Sequence, residues 1–161
     1  MPQNFVPFLK ENARTEMIEL LNARLADTID LSNAVKQAHW NIKGVGFIGV
    51  HELLDDVADH LREGLDLMAE RIVMMGGLAQ GTSKTVAEKS SLSAYPTEIV
   101  KLDDHVEALV ERYNDFTTKL RQGIEAADEA GDEDTADLLT EVSRTAEKDA
   151  WFIGSNGTKA V

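Results

Sequence analysis

The chain has no cysteine, only 3 prolines and 6% aromatic residues in 161 positions. Without thiols there is no disulfide and no thiolate-held metal. With proline this scarce, long stretches contain nothing that interrupts an α-helix. No apolar run approaches the roughly 18 residues that a membrane-spanning helix needs. The first residues, MPQNFVPFLKEN, lack a basic region followed by a hydrophobic one, so a cytoplasmic protein is expected. Positive charge is short as well: 16 Lys and Arg stand against 29 Asp and Glu, a net charge of −13. That balance disfavours nucleic-acid binding through the bulk surface, which needs lysine and arginine at phosphates. It suits a protein that gathers cations.

What remains is 43% hydrophobic content arranged at helical spacing, enough for one domain spanning residues 1–161 with short tails at 1–11 and 155–161. Apolar residues recur every three or four positions in four long segments, 12–40, 49–76, 97–127 and 132–153, so the predicted fold is all-α. The first and second helices, and the third and fourth, are joined by short links that suit antiparallel neighbours. The second and third are separated by residues 77–96. A helix of the second segment's length spans about 42 Å, and a connection of roughly 20 residues can cross it. One long crossover between two helical hairpins is the ferritin-like four-helix arrangement. A short extra helix is predicted over residues 85–90.

The candidate chemistry lies between His39 and Glu70. With about 100° per residue, His51, Asp55, Asp66 and Glu70 of the second helix fall near 0°, 40°, 60° and 100°, in one sector. They flank the apolar stripe of Leu54, Val57, Ala58, Leu61, Leu65, Met68 and Ile72. His39 shares a face of the first helix with Leu21, Leu25, Ile29 and Val35 and is directed inward. Imidazoles with carboxylates suit iron, zinc or manganese. Rise decides the geometry: the His51/Asp55 pair lies roughly 22 Å along the axis from Asp66/Glu70. A metal–ligand bond is only about 2 Å, so one helix cannot close both pairs on one ion. Two antiparallel copies, related by a two-fold axis near residues 60 and 61, would set each pair opposite the other. Each residue also has a plainer reading. His39 can be a hydrogen-bonded histidine at a helix end, Asp55 and Asp66 solvated charges, and His51 with Asp55 a surface ion pair.

Motifs at these positions carry a resemblance to a known family. AHW at 38–40, VHELLD at 50–55 and LDLMAER at 65–71 resemble the ferroxidase-centre signature of the Dps family, the miniferritins. The likeness continues through GTSKTVAEKSSLSAYP at 81–96 and DTADLLTEVSRTAEKDAWFIGSN at 134–156. The resemblance implies ferritin-like subunits in a hollow dodecamer that oxidises Fe(II), preferably with hydrogen peroxide, and stores ferric mineral, protecting DNA from oxidative damage. It implies that His39, His51 and Asp55 of one subunit and Asp66 and Glu70 of its two-fold partner hold the iron. Trp40 matches the tryptophan beside that centre, either a quencher of stray oxidising equivalents or an aromatic packing anchor.

Residues 125–149 hold ten acidic residues against only Arg144 and Lys148. Asp132, Glu133 and Asp134 at a helix start can cap it and complement its dipole. The resemblance implies that Glu133 and Asp137, with Asp134 near them, line a three-fold pore for incoming cations. Relatives that bind DNA use a lysine-rich tail, which this sequence lacks, so DNA binding through its tails is expected to be weak or absent. A nucleoid-associated, DNA-compacting particle with catalysis secondary is the alternative. A di-iron enzyme with its site inside one bundle would show Glu-x-x-His motifs, and no Glu precedes His39, His51, His60 or His105 by three residues. His60 and His105 acquire no role from sequence alone.

Overall fold

The computed structural model describes residues 2–158, which fold into five helices: α1 (Glu11–Asn41), α2 (Phe47–Met74), α3 (Ser83–Lys89), α4 (Leu102–Ala130) and α5 (Glu133–Gly154). α1 packs chiefly on α2 and α4 chiefly on α5, while α1–α4 and α2–α5 contacts close the square. The short α3 rides on α1, within the crossover from α2 to α4. The bundle encloses Met17, Leu21, Leu25, Leu54, Met68, Ile72, Leu109, Tyr113 and Phe116, all fully buried. Burying a large apolar side chain contributes roughly 1.5–3 kcal/mol, so this shared interior, more than helix propensity, holds the four long helices together. No helix among the described residues is long and apolar enough to cross a membrane.

Helix limits differ from the periodicity where backbone geometry intervenes. α2 begins at Phe47, two residues before the expected Gly49, because Gly46 adopts φ 83° and turns the chain directly into the helix. It ends at Met74 because Gly76, at φ 79°, reverses the chain. α4 starts at Leu102, not at Thr97 just after Pro96. The chain turns at residues 97 and 98 and is then bridged to Lys43: the Lys43 N–H donates to the Val100 carbonyl at 2.9 Å and the Leu102 N–H to the Lys43 carbonyl at 3.0 Å. α3 begins at Ser83, two residues earlier than expected, with Thr82 accepting from the Thr85 N–H.

Polar groups on α1 fix the crossover. Buried Asp27 accepts from the Ser91 backbone N–H at 2.7 Å and from the Ser91 hydroxyl at 3.0 Å. Asn22 donates to the Leu78 carbonyl at 3.1 Å and accepts from the Gln80 N–H at 2.9 Å. These bonds let a connection of this length stay ordered. The N-terminal segment before α1 is also anchored. Val6 and Leu9 are buried, and the Phe5 N–H donates to the Met74 carbonyl at 2.8 Å. At the other end Thr158 bonds the Asp103 carboxylate through both its N–H and its hydroxyl. The rest of the expected C-terminal tail, like Met1, lies outside the described residues.

Candidate metal centre

His39 sits in the last turn of α1 and His51 at the start of the second turn of α2. The glycine-containing reversal between them stacks the two imidazoles, with centroids 3.8 Å apart and planes 17° apart. The His39 Nδ1 lies 2.8 Å from the His51 carbonyl oxygen, and the His51 Nδ1 lies 2.9 Å from that of His39. A carbonyl oxygen only accepts, so both Nδ1 atoms carry the proton. In the neutral rings this leaves both Nε2 lone pairs as donors for a metal ion. His39 is buried, as its helical face predicts, and His51 is partly covered.

Asp55, one turn along α2 from His51, brings its Oδ1 to 3.5 Å from the His39 Nδ1. It also pairs with the Lys36 ammonium. That Lys36 hydrogen bond, more than any other influence, holds the Asp55 carboxyl below the usual carboxylate range. Partial desolvation opposes the shift, and the charges of His39, Lys36 and His51 reinforce it. The structure thus brings His39, His51 and Asp55 together.

Asp66 and Glu70 are exposed further along α2. Asp66 follows Asp55 by about 16 Å of helical rise, so one chain does not join the two sets. Among the described residues no group of three or more His, Asp or Glu is positioned to hold a metal ion alone. Around both part-sets α2 exposes Phe47, Ile48, Leu67, Val73 and Met74. Trp40 is 69% exposed, so it is not packed into its own subunit. The two groups of candidate donors therefore stay apart within one chain, beside apolar side chains that its own core does not cover.

At the start of α5, Asp132 is the capping residue and accepts from the Thr135 N–H at 3.2 Å. Glu133, Asp134 and Asp137 are exposed. Periodicity alone did not single out three further groups. Lys36, three residues before His39 on the same helix, was within reach of a spacing argument. The others were not: buried Arg71 meets Asp132, and His60 meets Asp149, across separations of 61 and 89 residues. His105 proves to be a core residue whose Nδ1 lies 2.7 Å from the Tyr95 hydroxyl.

The arrangement has clear relatives. Residues 18–159 match the ferritin-like domain. The chain is 47% identical, over 145 residues, to the DNA protection during starvation protein of Agrobacterium fabrum, with 90% of each chain covered. Its fold resembles that of Dps from Mycobacterium smegmatis in its tetragonal form, with TM-score 0.90, 31% identity and coverage of 95% of this chain and 92% of that one. A Microbacterium arborescens Dps structure, in its high iron form, gives TM-score 0.84 at 32% identity, covering 91% and 95%. In sequence and in architecture alike, the chain belongs to the Dps family of ferritin-like proteins.

Proposed function

We propose that this protein stores iron and protects DNA, oxidising Fe(II) at sites completed by two-fold-related copies and holding the ferric product inside a dodecamer. The observation that carries this reading is the reciprocal locking of His39 and His51. It leaves the Nε2 of each imidazole free of backbone bonds, with the Asp55 carboxylate close by, 3.5 Å from the His39 Nδ1. Asp66 and Glu70 remain exposed on the same helix. In an antiparallel pair of α2 helices each part-set meets its complement. The names of the relatives, DNA protection during starvation proteins and a Dps in a high iron form, support the same assignment.

Carboxylates stabilise Fe(III) more strongly than Fe(II), so oxidation at such a site is favoured once both donor sets are in place. With hydrogen peroxide the reaction balances as two Fe(II), one peroxide and two protons giving two Fe(III) and two waters. Taking both electrons from a pair of irons avoids releasing hydroxyl radical. Glu133 and Asp137, with Asp134 beside them, would draw Fe(II) inward through a three-fold pore. With a net charge of −13, DNA binding is weak, and protection comes from removing iron and peroxide.

Mixed assembly tests the shared site. His51→Ala and Glu70→Ala should each abolish rapid peroxide-dependent Fe(II) oxidation. Co-refolded together in equal amounts, they regenerate one intact site in each mixed dimer, about a quarter of all sites if pairing is random. Recovery of ultraviolet-monitored oxidation on mixing supports the reading. A mixture as inactive as its components removes it.

A further inference from the structure

The register that sets the proposed donor groups opposite one another also pairs residues that have no part in holding metal. A two-fold axis between residues 60 and 61 places Ile48 of one α2 level with the partner's Val73, Phe47 with the partner's Met74, and Asp59 with the partner's Arg62. Four of the five large apolar side chains that α2 exposes fall into such pairs, so the match is a property of the face and not of the donors alone. At about 100° per residue, Ile48, Asp59, Arg62 and Val73 share the angular sector of His51, Asp55, Asp66 and Glu70. Asp59 and Arg62 are exposed and pair at 3.0 Å within the subunit, so each presents the opposite charge to its counterpart across the axis.

The N-terminal segment carries this face past the end of α2. The Phe5 N–H donates to the Met74 carbonyl, and the Arg14 guanidinium donates to the Met75 carbonyl at 2.8 Å. A Cβ placed on Gly76 would lie 3.1 Å from the Pro2 carbonyl oxygen. With Val6 and Leu9 buried, this ordered backbone turns Phe5 and Phe8 outward, 63% and 68% exposed. Aromatic rings held in solvent by an anchored segment mark a contact surface. At the other end of α2, Val45 is wholly exposed on the reversal that stacks His39 on His51, and Trp40 stands bare beside it.

We propose that the N-terminal segment of each copy is an arm that docks on a second copy of this chain. Phe5 packs against the partner's Val45 and the partner's Trp40, clamping the turn that joins the partner's His39 to the partner's His51. This rests on the two-fold pairing proposed above. The placement follows from the register: Phe5 is bonded at Met74, Met74 is level with the partner's Phe47, and Val45 precedes Phe47 by two positions. One chain cannot make the contact by itself, since Phe5 and Val45 sit at opposite ends of a helix about 42 Å long. A net charge of −13 disfavours an anionic lipid surface as the occupant. Docking removes aromatic surface from water and restrains the reversal, so subunit association and the seating of the two imidazoles support each other.

Thiol trapping tests the arm, because the chain has no cysteine of its own. Phe5→Cys combined with Val45→Cys should give a covalent dimer on a denaturing gel after treatment with a short bis-maleimide, and neither single variant should. Ile48→Cys combined with Val73→Cys traps the helix pairing alone, since those positions are also far apart within one chain. Trapping of both pairs supports the arm. Trapping through Ile48 and Val73 only overturns the arm and leaves the shared metal site standing, whereas trapping of neither overturns both. Phe5→Ser, at a position exposed in the single subunit, should weaken subunit association about tenfold in analytical sedimentation. Unchanged association overturns the proposal. So does wild-type pelleting with phosphatidylcholine vesicles that Phe5→Ser abolishes, since that marks a membrane contact instead.

Discussion

Arg71, the residue after Glu70, reaches across the bundle to Asp132 at 2.6 Å, and both side chains are buried. Its Nε also donates to the Thr135 hydroxyl at 3.1 Å, so the end of α2 is tied to the start of α5. The same contact joins the neighbour of a proposed iron ligand to the base of the proposed pore. Removing one partner of a buried pair leaves the other charge uncompensated. Arg71→Leu should therefore cost about 3–5 kcal/mol in chemical denaturation. Arg71→Leu combined with Asp132→Asn should cost less than the sum of the two single variants, a coupling that a double-mutant cycle reads directly.

His105 makes the fold sensitive to acid. Burial holds its protonation below the ordinary histidine range of 6.5, against the opposing effects of the Ile99 carbonyl and Asp104. A group that is harder to protonate when folded contributes stability that is present above 6.5 and lost as pH falls through the folded value. The melting temperature should thus decline on acidification from pH 7 into the window below 6.5. His105→Gln, which can still bond the Tyr95 hydroxyl, should flatten that part of the profile in calorimetric scans.

If Asp55 holds iron as proposed, its ion pair with Lys36 competes with the metal. At neutral pH the carboxylate stays ionised without its lysine, so Lys36→Met removes a rival cation and not the ligand's charge. Tighter Fe(II) binding, measured anaerobically by calorimetry, is expected. Weaker binding would mean that Lys36 positions Asp55 for the metal.

The acids of α5 should govern delivery, not chemistry. Glu133→Gln with Asp137→Asn is expected to slow iron uptake several-fold at low ionic strength, with the difference shrinking in salt as screening grows. The ratio of Fe(II) oxidised to peroxide consumed should not change. Stopped-flow uptake at two salt concentrations, with a peroxide assay, checks both statements.

The four long helices were legible because they depend on local periodicity, and so was the separation of the α2 residues proposed as ligands. His51, Asp55, Asp66 and Glu70 occupy one helix, so rise and rotation fix their separation whatever the rest of the chain does. The start of α4 was not legible. Its first turn is displaced by hydrogen bonds to Lys43, a residue 58 positions from Lys101 in the bridged pair. The tautomers of His39 and His51 were also out of reach, because they depend on which backbone oxygen faces which ring nitrogen across the turn.

Sequence by itself determined the helical class, the acidic character and the impossibility of one α2 helix closing its own metal site, since each follows from composition or from a fixed rise per residue. Only the tertiary structure decided that His39 and His51 lock one another, that Arg71 fastens α2 to α5, and that His60 and Asp149 form a pair. Those contacts join helices through packing, and local spacing carries no record of which distant faces will meet.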